Sequence, residues 1–411
     1  MSNEWEYVKA KYLFQQLKRP CLDSDGTVTA FRDGEVVLRS ERREDGFTEA
    51  VQYHGYQGVK KGDLVVHSMD GFAGAIGVSK SDGKMSPVAH IYAPKRNLDL
   101  RYYAYYLKHL AQIGYIQSLA KGIRERSTSF DPATFSQMLL PVPPLEIQAS
   151  IANYLDSQNK FLKEIVSKKK SEIDEVGRYF DAVVREKILG QDRSAQIPPK
   201  WATHLGSNRE LIPLGNLVRI RGERNDPIQL TQVLSLTAAR GVILYEDKGA
   251  IGNVASEDVS RYSIVRINDL VVNCMNIVIG SVGLSRYEGV LSPVYYVLTP
   301  IRSDLVDMEY LSLHFRIREF QRQLIRIGYG ILDHRMRIPW VNLKSEKIVI
   351  PPLDIQKKIV TELRNLDQER IEAILAMEQS IELLSEYWNS ILTHSVTGAL
   401  SNLEMEPAEN G

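Results

Sequence analysis

Two stretches of this chain space their apolar residues three and four positions apart, turn after turn. One runs Ile355, Ile359, Leu363, Leu366, Ile374, Met377, Ile381, Leu384, Trp388 and Ile391. The other runs Ile147, Ile151, Leu155, Val166, Ile173, Val176, Phe180 and Val183, interrupted by Lys169. That spacing is the seam of a coiled coil. It predicts two helices of about 44 residues, each roughly 66 Å long if unbroken. Lys169 is tolerable if its stem packs and its ammonium reaches solvent. Two single stripes of equal length are satisfied by packing on each other. A Pro-Pro pair precedes each stripe, which suits a helix start because proline presets φ and brings no N–H to satisfy.

Elsewhere the pattern shortens to β-rich runs with glycine turns: Leu64–His67 and Pro87–Tyr92, then Leu270–Cys274 and Pro293–Leu298. Gly71, Gly74 and Gly77 punctuate the first pair, and Gly280 and Gly283 the second. A small, mostly antiparallel or mixed sheet is expected in each. Asp99 and Asp307 stand where helix N-caps belong, ahead of helical segments Leu100–Leu119 and Met308–Ile327 that end near Gly122 and Gly330.

These patterns are one pattern repeated. Pro143-Pro144-Leu145-Glu146-Ile147-Gln148 recurs 208 positions on as Pro351-Pro352-Leu353-Asp354-Ile355-Gln356. Val59–Pro94 aligns without a gap to Val265–Pro300, with 14 of 36 positions identical. A repeat of this kind makes each copy one structural unit. The expected fold is α/β in the α+β sense, a pseudo-two-fold internal repeat. Residues 1–145 form a first globular module and 146–190 a central long helix. Residues 191–350 form a second module opening on a polar linker, 191–200. A distal helix at 351–398 and an acidic tail at 399–411 follow, with the two helices forming an antiparallel coiled coil.

Composition adds bounds. The 411 residues are 44% hydrophobic and 25% charged, an ordinary soluble balance. No run approaches a membrane span, and the N-terminus lacks a basic, apolar leader pattern. Cys21 and Cys274 make neither a disulfide framework nor a zinc site, so both are expected buried, in a reducing cytoplasm. Net charge is zero, but it is unevenly placed. Residues 1–145 carry +3, 190–353 carry +4, the first long helix 0, the second −4 and the tail −3. Basic modules beside an acidic helix suggest polyanion contact by one and protein contact by the other.

The paired Pro-Pro-Leu-(Glu/Asp)-Ile-Gln helix starts lie in this order with Ile197-Pro198-Pro199-Lys200-Trp201 opening the second half. Both halves also carry Asp-Leu-Val-Val, then Gly-x-x-Gly, then Ser-Pro-Val. Over nearly its whole length the chain thereby resembles the specificity subunits of type I restriction-modification enzymes. It departs from the family's usual Glu-Gln after the proline pair. The resemblance implies two similar target recognition domains with small mixed β-sheets, each reading half of a split, asymmetric sequence on double-stranded DNA. It implies a non-catalytic subunit whose helices set the unread spacer and dock two methyltransferase subunits, beside motor-nuclease restriction subunits. S-adenosylmethionine, ATP and Mg²⁺ would then belong to those partners, with no cofactor of the chain's own and no membrane.

DNA contacts are expected from two equivalent polar loops. Lys121, Arg124, Arg126 and Ser127 sit in one; Tyr329, His334, Arg335 and, just beyond, Arg337 sit in the other. Arginine can grip guanine with two bonds, whereas lysine mostly meets phosphate. Arg219, Arg221 and Arg224 form a second patch, and Arg316, Arg318, Arg322 and Arg326 an arginine helix face. Each has a plain alternative, a solvated charge. No phosphate-binding Gly-x-x-x-x-Gly-Lys loop is present, nor the Asn/Asp-Pro-Pro-aromatic tetrapeptide of adenine methyltransferases. Asp226 with Glu246-Asp247-Lys248 only imitates a nuclease motif. The competing readings are a coiled-coil assembly scaffold without DNA recognition and a self-contained methylating nuclease.

Overall fold

The structure, a computed structural model, describes residues 5–42, 55–119, 129–190, 208–237, 240–248, 256, 258–329 and 337–399. The chain divides into two compact units, residues 1–170 with 378–411, and residues 171–377. Both divisions fall inside the long helices, Leu145–Leu189 and Leu353–Val396, so each unit takes half of each helix.

The first unit holds a four-stranded sheet in the order Phe14–Leu17, Ala89–Pro94, Leu64–His67, Ile76–Val78. Successive strand residues face opposite sides. Phe14, Leu64, Val66 and Tyr92 therefore pack against helix Leu100–Gln112, with its buried Tyr102, Tyr103 and Leu107. Val65 and Ile91 pack the other way, against the hairpin of Val28–Ala30 and Val36–Leu38 and the strand pair Gln57–Val59 and Gly83–Met85. A strand buried on both faces reads as an unbroken apolar run, which is why Leu64-Val65-Val66 shows no alternation.

The second unit repeats this order with Val218–Ile220, Tyr295–Pro300, Leu270–Asn273 and Val282–Leu284. Every pairing between these strands is antiparallel. Among the described residues the parallel contacts are isolated bridges: Thr27–Lys84, Val36–Ser79 and Val233–Val290.

The repeated motifs are the joints of this frame. Gly74 and Gly280 are left-handed, at φ +94° and +81°. A Cβ on Gly77 would lie 2.0 Å from the Gly34 carbonyl oxygen, and one on Gly283 2.8 Å from Gly241 Cα. Asp63 accepts from the Lys60 backbone N–H and holds Arg19; Asp269 accepts from the Arg266 N–H and holds Arg221. Asp99 and Asp307 do cap their helices, accepting from Arg101 N and from Glu309 and Tyr310 N at 2.9–3.0 Å.

The glutamine of the hexapeptide fixes module to helix. Gln148, 1% exposed, accepts from Asp99 N at 3.0 Å and donates to the Pro143 carbonyl at 2.7 Å. Gln356, 0% exposed, accepts from Asp307 N at 2.8 Å and donates to the Leu305 and Pro351 carbonyls. Each ties the cap of one helix to the first turn of the next.

In the first unit, early residues of the first long helix (Ile151, Leu155) share a core with late residues of the second (Trp388, Ile391, Leu392, Val396). In the second unit, Phe180, Val184 and Ile188 meet Ile359, Val360 and Leu363, and Lys187 pairs with Glu362 at 2.5 Å. The helices are antiparallel in both. Lys169 is half-buried, as its place on the seam requires. Ile355 is 36% exposed instead of sitting on the seam, because Gln356 takes the inward direction in that turn. Each long helix stops at a left-handed glycine, Gly190 and Gly398. Arg209 bonds the Ile188 and Lys187 carbonyls beyond the first, and Trp5 lies against the second.

Two sequence expectations are corrected. Neither short helical segment is continuous. The first breaks into Leu100–Gln112 and Tyr115–Leu119 around Gly114, at φ +77°. The second breaks into Met308–His314 and Arg318–Ile325 where the backbone of Ile317 turns extended, at φ −67° and ψ 116°. Cys274 is buried, but Cys21 is only half-buried.

Candidate nucleic-acid interface

Six of the sequence-derived contact residues, Lys121, Arg124, Arg126, Ser127, His334 and Arg335, lie outside the described residues. The neck of the second loop is described. Tyr329 and Arg337 exchange backbone hydrogen bonds of 2.9 and 3.0 Å, and both side chains are exposed. Arg219 is exposed on the edge strand Val218–Ile220.

Arg221 and Arg224, three residues apart, have different fates. Arg221 places Nε and Nη2 on the Asp269 carboxylate at 2.7 and 2.9 Å, with Glu223 at 2.7 Å. The hydrogen bond to Asp269, which is 2% exposed, holds the guanidinium above its already high ordinary pKa. Arg19 does the same with Asp63 in the first unit. Arg221 is thus a joint of the frame. Arg224 is exposed and donates to the Ser263 hydroxyl at 2.9 Å. On the arginine face, Arg316 and Arg318 each reach Asp181 at 3.4 Å and Arg316 covers the Phe180 ring, so that end of the face is tied to the first long helix.

Equivalent corners at the sheet edge differ in chemistry. In the second unit the Tyr296 hydroxyl donates to the Ile338 carbonyl at 3.0 Å and its ring stands edge-on to Trp340. Burial pushes up both the Tyr296 hydroxyl and the Cys274 thiol, while Arg337 beside them pulls each partly back. In the first unit the corner is a cleft of about 550 Å³ lined by Gln16, Lys18, Tyr56, Gln57, His90 and Pro132, with Arg19 and Pro87 among the remainder. Among the described residues no carboxylate lines it. His90 titrates below the ordinary range, chiefly through burial, with His67 and Lys18 adding to the effect and Asp131 opposing it. Sequence reasoning passed over Gln16, Lys18, Gln57 and His90 because they do not cluster as a charge run.

A larger cleft in the same unit, about 730 Å³, holds charges of both signs. Three of its six lining cations are in ion pairs: Lys80 with Glu35 at 2.8 Å, Lys163 with Asp33 at 3.5 Å, and Arg101 with Asp156 at 2.8 Å. Burial opposes ionisation of Asp33, yet Arg42, the Glu35 N–H and Lys163 hold its carboxyl down at about 2. Lys108, pushed down to about 8 by burial, donates to the Asp33 carbonyl at 2.6 Å. With Lys61 and Lys160 also on the lining, its six cations outnumber its four carboxylates.

The type I restriction modification DNA specificity domain family model matches residues 2–175 and 240–383. The chain belongs to that family. It is 22% identical over 288 residues to a Methanocaldococcus jannaschii protein described as a type I restriction enzyme MjaX specificity subunit. That match spans 66% of this chain and 62% of the relative's length. A chain solved in work on complex assembly and conformational transition of the type I R-M system shares the fold, with a TM-score of 0.68 at 14% identity. That match covers 96% of this chain and 98% of the other. An HsdS subunit from Thermoanaerobacter tengcongensis matches with a TM-score of 0.48 at 14% identity, covering 97% and 98%.

Both specificity-domain segments end within a long helix, at residues 175 and 383, so the family's unit includes module and stalk together. The second begins at residue 240, leaving Arg219, Arg221 and Arg224 outside it. Among the described residues no helix is long and apolar enough to cross a membrane, and no three His, Cys, Asp or Glu side chains gather as a metal site.

Proposed function

We propose that the chain is the DNA sequence-specificity subunit of a type I restriction-modification complex. Residues 1–145 and 191–350 each read one half of a bipartite, asymmetric target. The helices at 146–190 and 351–398 set the unread spacer and dock two methyltransferase subunits, with motor-nuclease restriction subunits completing the assembly. The chain itself supplies recognition and no catalysis; S-adenosylmethionine, ATP and Mg²⁺ act on the partners. One observation carries this reading: in a chain of the DNA specificity domain family, a single sheet-and-helix frame is built twice, with joints kept and corner residues changed. Gln148 and Gln356, Asp63 and Asp269, and Gly77 and Gly283 are kept. His90 answers to Tyr296 and Gln57 to Ser263, which suits two half-sites of different sequence.

Contacts are assigned to the loops with Lys121, Arg124, Arg126, Ser127, His334 and Arg335, to Tyr329 and Arg337 at the second loop's neck, and to Arg219 and Arg224. Arg221 is assigned to the frame. The test is duplex binding by the complex with its methyltransferase subunits across a salt series. A reader of DNA loses affinity linearly in log salt, with a slope of about −0.9 per phosphate neutralised, and prefers one split sequence. Affinity indifferent to salt and sequence would leave the scaffold reading in its place.

A further inference from the structure

We propose that the groove at the corner of the first module, lined by Gln16, Lys18 and His90, reads base edges in the first half of the target. The proposal rests on the DNA-recognition reading and assigns part of its chemistry. Three observations carry it.

The first is charge. Among the described residues the groove is lined by donors and acceptors with no carboxylate, and Arg19 is held by Asp63 behind it. Asp131, beside the lining residue Pro132, acts on His90 from the edge of this groove, whereas four carboxylates, Asp33, Glu35, Asp156 and Glu164, line the larger cleft itself.

The second is side-chain type. A glutamine amide matches the adenine N6/N7 edge with two bonds, and a lysine donates to guanine O6 or N7. Neutral imidazole offers one donor and one acceptor, and burial favours that form of His90. The Gln57 amide, donating to the Ala89 carbonyl at 2.6 Å, fixes the groove wall. Gln16 and Lys18 are exposed, so they reach a ligand without rearrangement of the core.

The third is the internal comparison. Gln16 pairs with Tyr92 in its sheet, and Ile220 pairs with Leu298. Tyr92 and Leu298 are 206 positions apart, the repeat offset. Gln16 therefore answers to Ile220 and His90 to Tyr296. The joints are kept while these two positions change, one to an apolar and one to an aromatic side chain. A groove serving only the fold would have no reason to diverge while the joints beside it stay fixed.

The test uses the complex of the full chain with its methyltransferase subunits, mapping the methylated motif by modification-sensitive sequencing. Gln16→Ala and His90→Ala should relax discrimination on the order of 10-fold at positions within one half-site. Lys18→Ala should either do the same or lower affinity for all sequences and reduce the salt slope by about one. Lys80→Ala, on the larger cleft, where Lys80 pairs with Glu35, should leave the motif unchanged. Arg224→Ala and Arg337→Ala in the second module identify the opposite half-site by altering it alone. Gln16 and Lys18 are exposed, so their variants report even if His90→Ala fails to fold. An unchanged motif and affinity in the Gln16 and Lys18 variants would overturn the groove assignment, as would equal loss at both half-sites. A wild-type complex without any sequence preference would instead overturn the DNA-recognition reading itself.

Discussion

Among single residues, the arginines show how far chemistry can be read from local sequence. Arg219, Arg221 and Arg224 form one basic run, yet Arg221 is folded onto Asp269, 48 positions away. The repeat marks Asp269 as a kept position, but its arginine partners escape the alignment: Arg19 and Arg221 lie 202 apart rather than 206. Removing one member of a buried ion pair costs about 3–5 kcal/mol because the other is left unpaired. Arg221→Ala should therefore lower stability by about 3 kcal/mol in denaturant unfolding. Arg224→Ala should stay within about 0.5 kcal/mol and lose DNA affinity instead. His314 gives a pH signature. Full burial pushes its imidazole down to about 3, and its Nε2 accepts from the Val349 N–H at 3.2 Å. The unfolded chain regains the ordinary value near 6.5 and binds a proton that the native state refuses. Stability therefore falls as pH falls from about 6.5 towards 3, by about 1.4 kcal/mol per pH unit. Between pH 7 and pH 5, His314→Gln should lose about 2 kcal/mol less than the unsubstituted chain, measured by unfolding at each pH.

At the level of elements, periodicity located both long helices because their stripes are long and face one partner. It misjudged places where another demand overrides the stripe. Gln356 displaces Ile355 from the inward position because its amide answers a buried backbone N–H. The second short segment leaves the helical backbone at Ile317, which its apolar spacing does not signal. The duplicated hexapeptide was legible as a motif, but not as a clamp, since its bonding partners lie 49 residues upstream. Leaving such a buried donor unmet costs about 1–3 kcal/mol. Gln148→Ala should thus destabilise the first unit and Gln356→Ala the second, each by about 2 kcal/mol. Hydrogen exchange on the affected unit, compared with the other, reads the difference.

For the molecule as a whole, the proposed spacer role makes a length prediction. Deleting seven residues from each long helix, at facing positions, preserves the seam. It should change the number of unread base pairs between half-sites while each half-site stays the same, as read from the methylated motif. An unchanged spacer would separate the helices from the measuring role. The duplication and the helix pair were legible because both are periodic. The groove at the first module's corner was not, because it is assembled from residues between Gln16 and Pro132 that share no run.

The glycine ends of the long helices carry a consequence for chain connectivity. Gly190 is overlaid by Arg209, at the head of the second module, and Gly398, 208 positions on, by Trp5, at the head of the first. Each module thus begins beside the glycine that closes one long helix. A circular permutant, joined through a short linker from residue 399 to residue 5 and reopened between 191 and 207, should fold and recognise the same target.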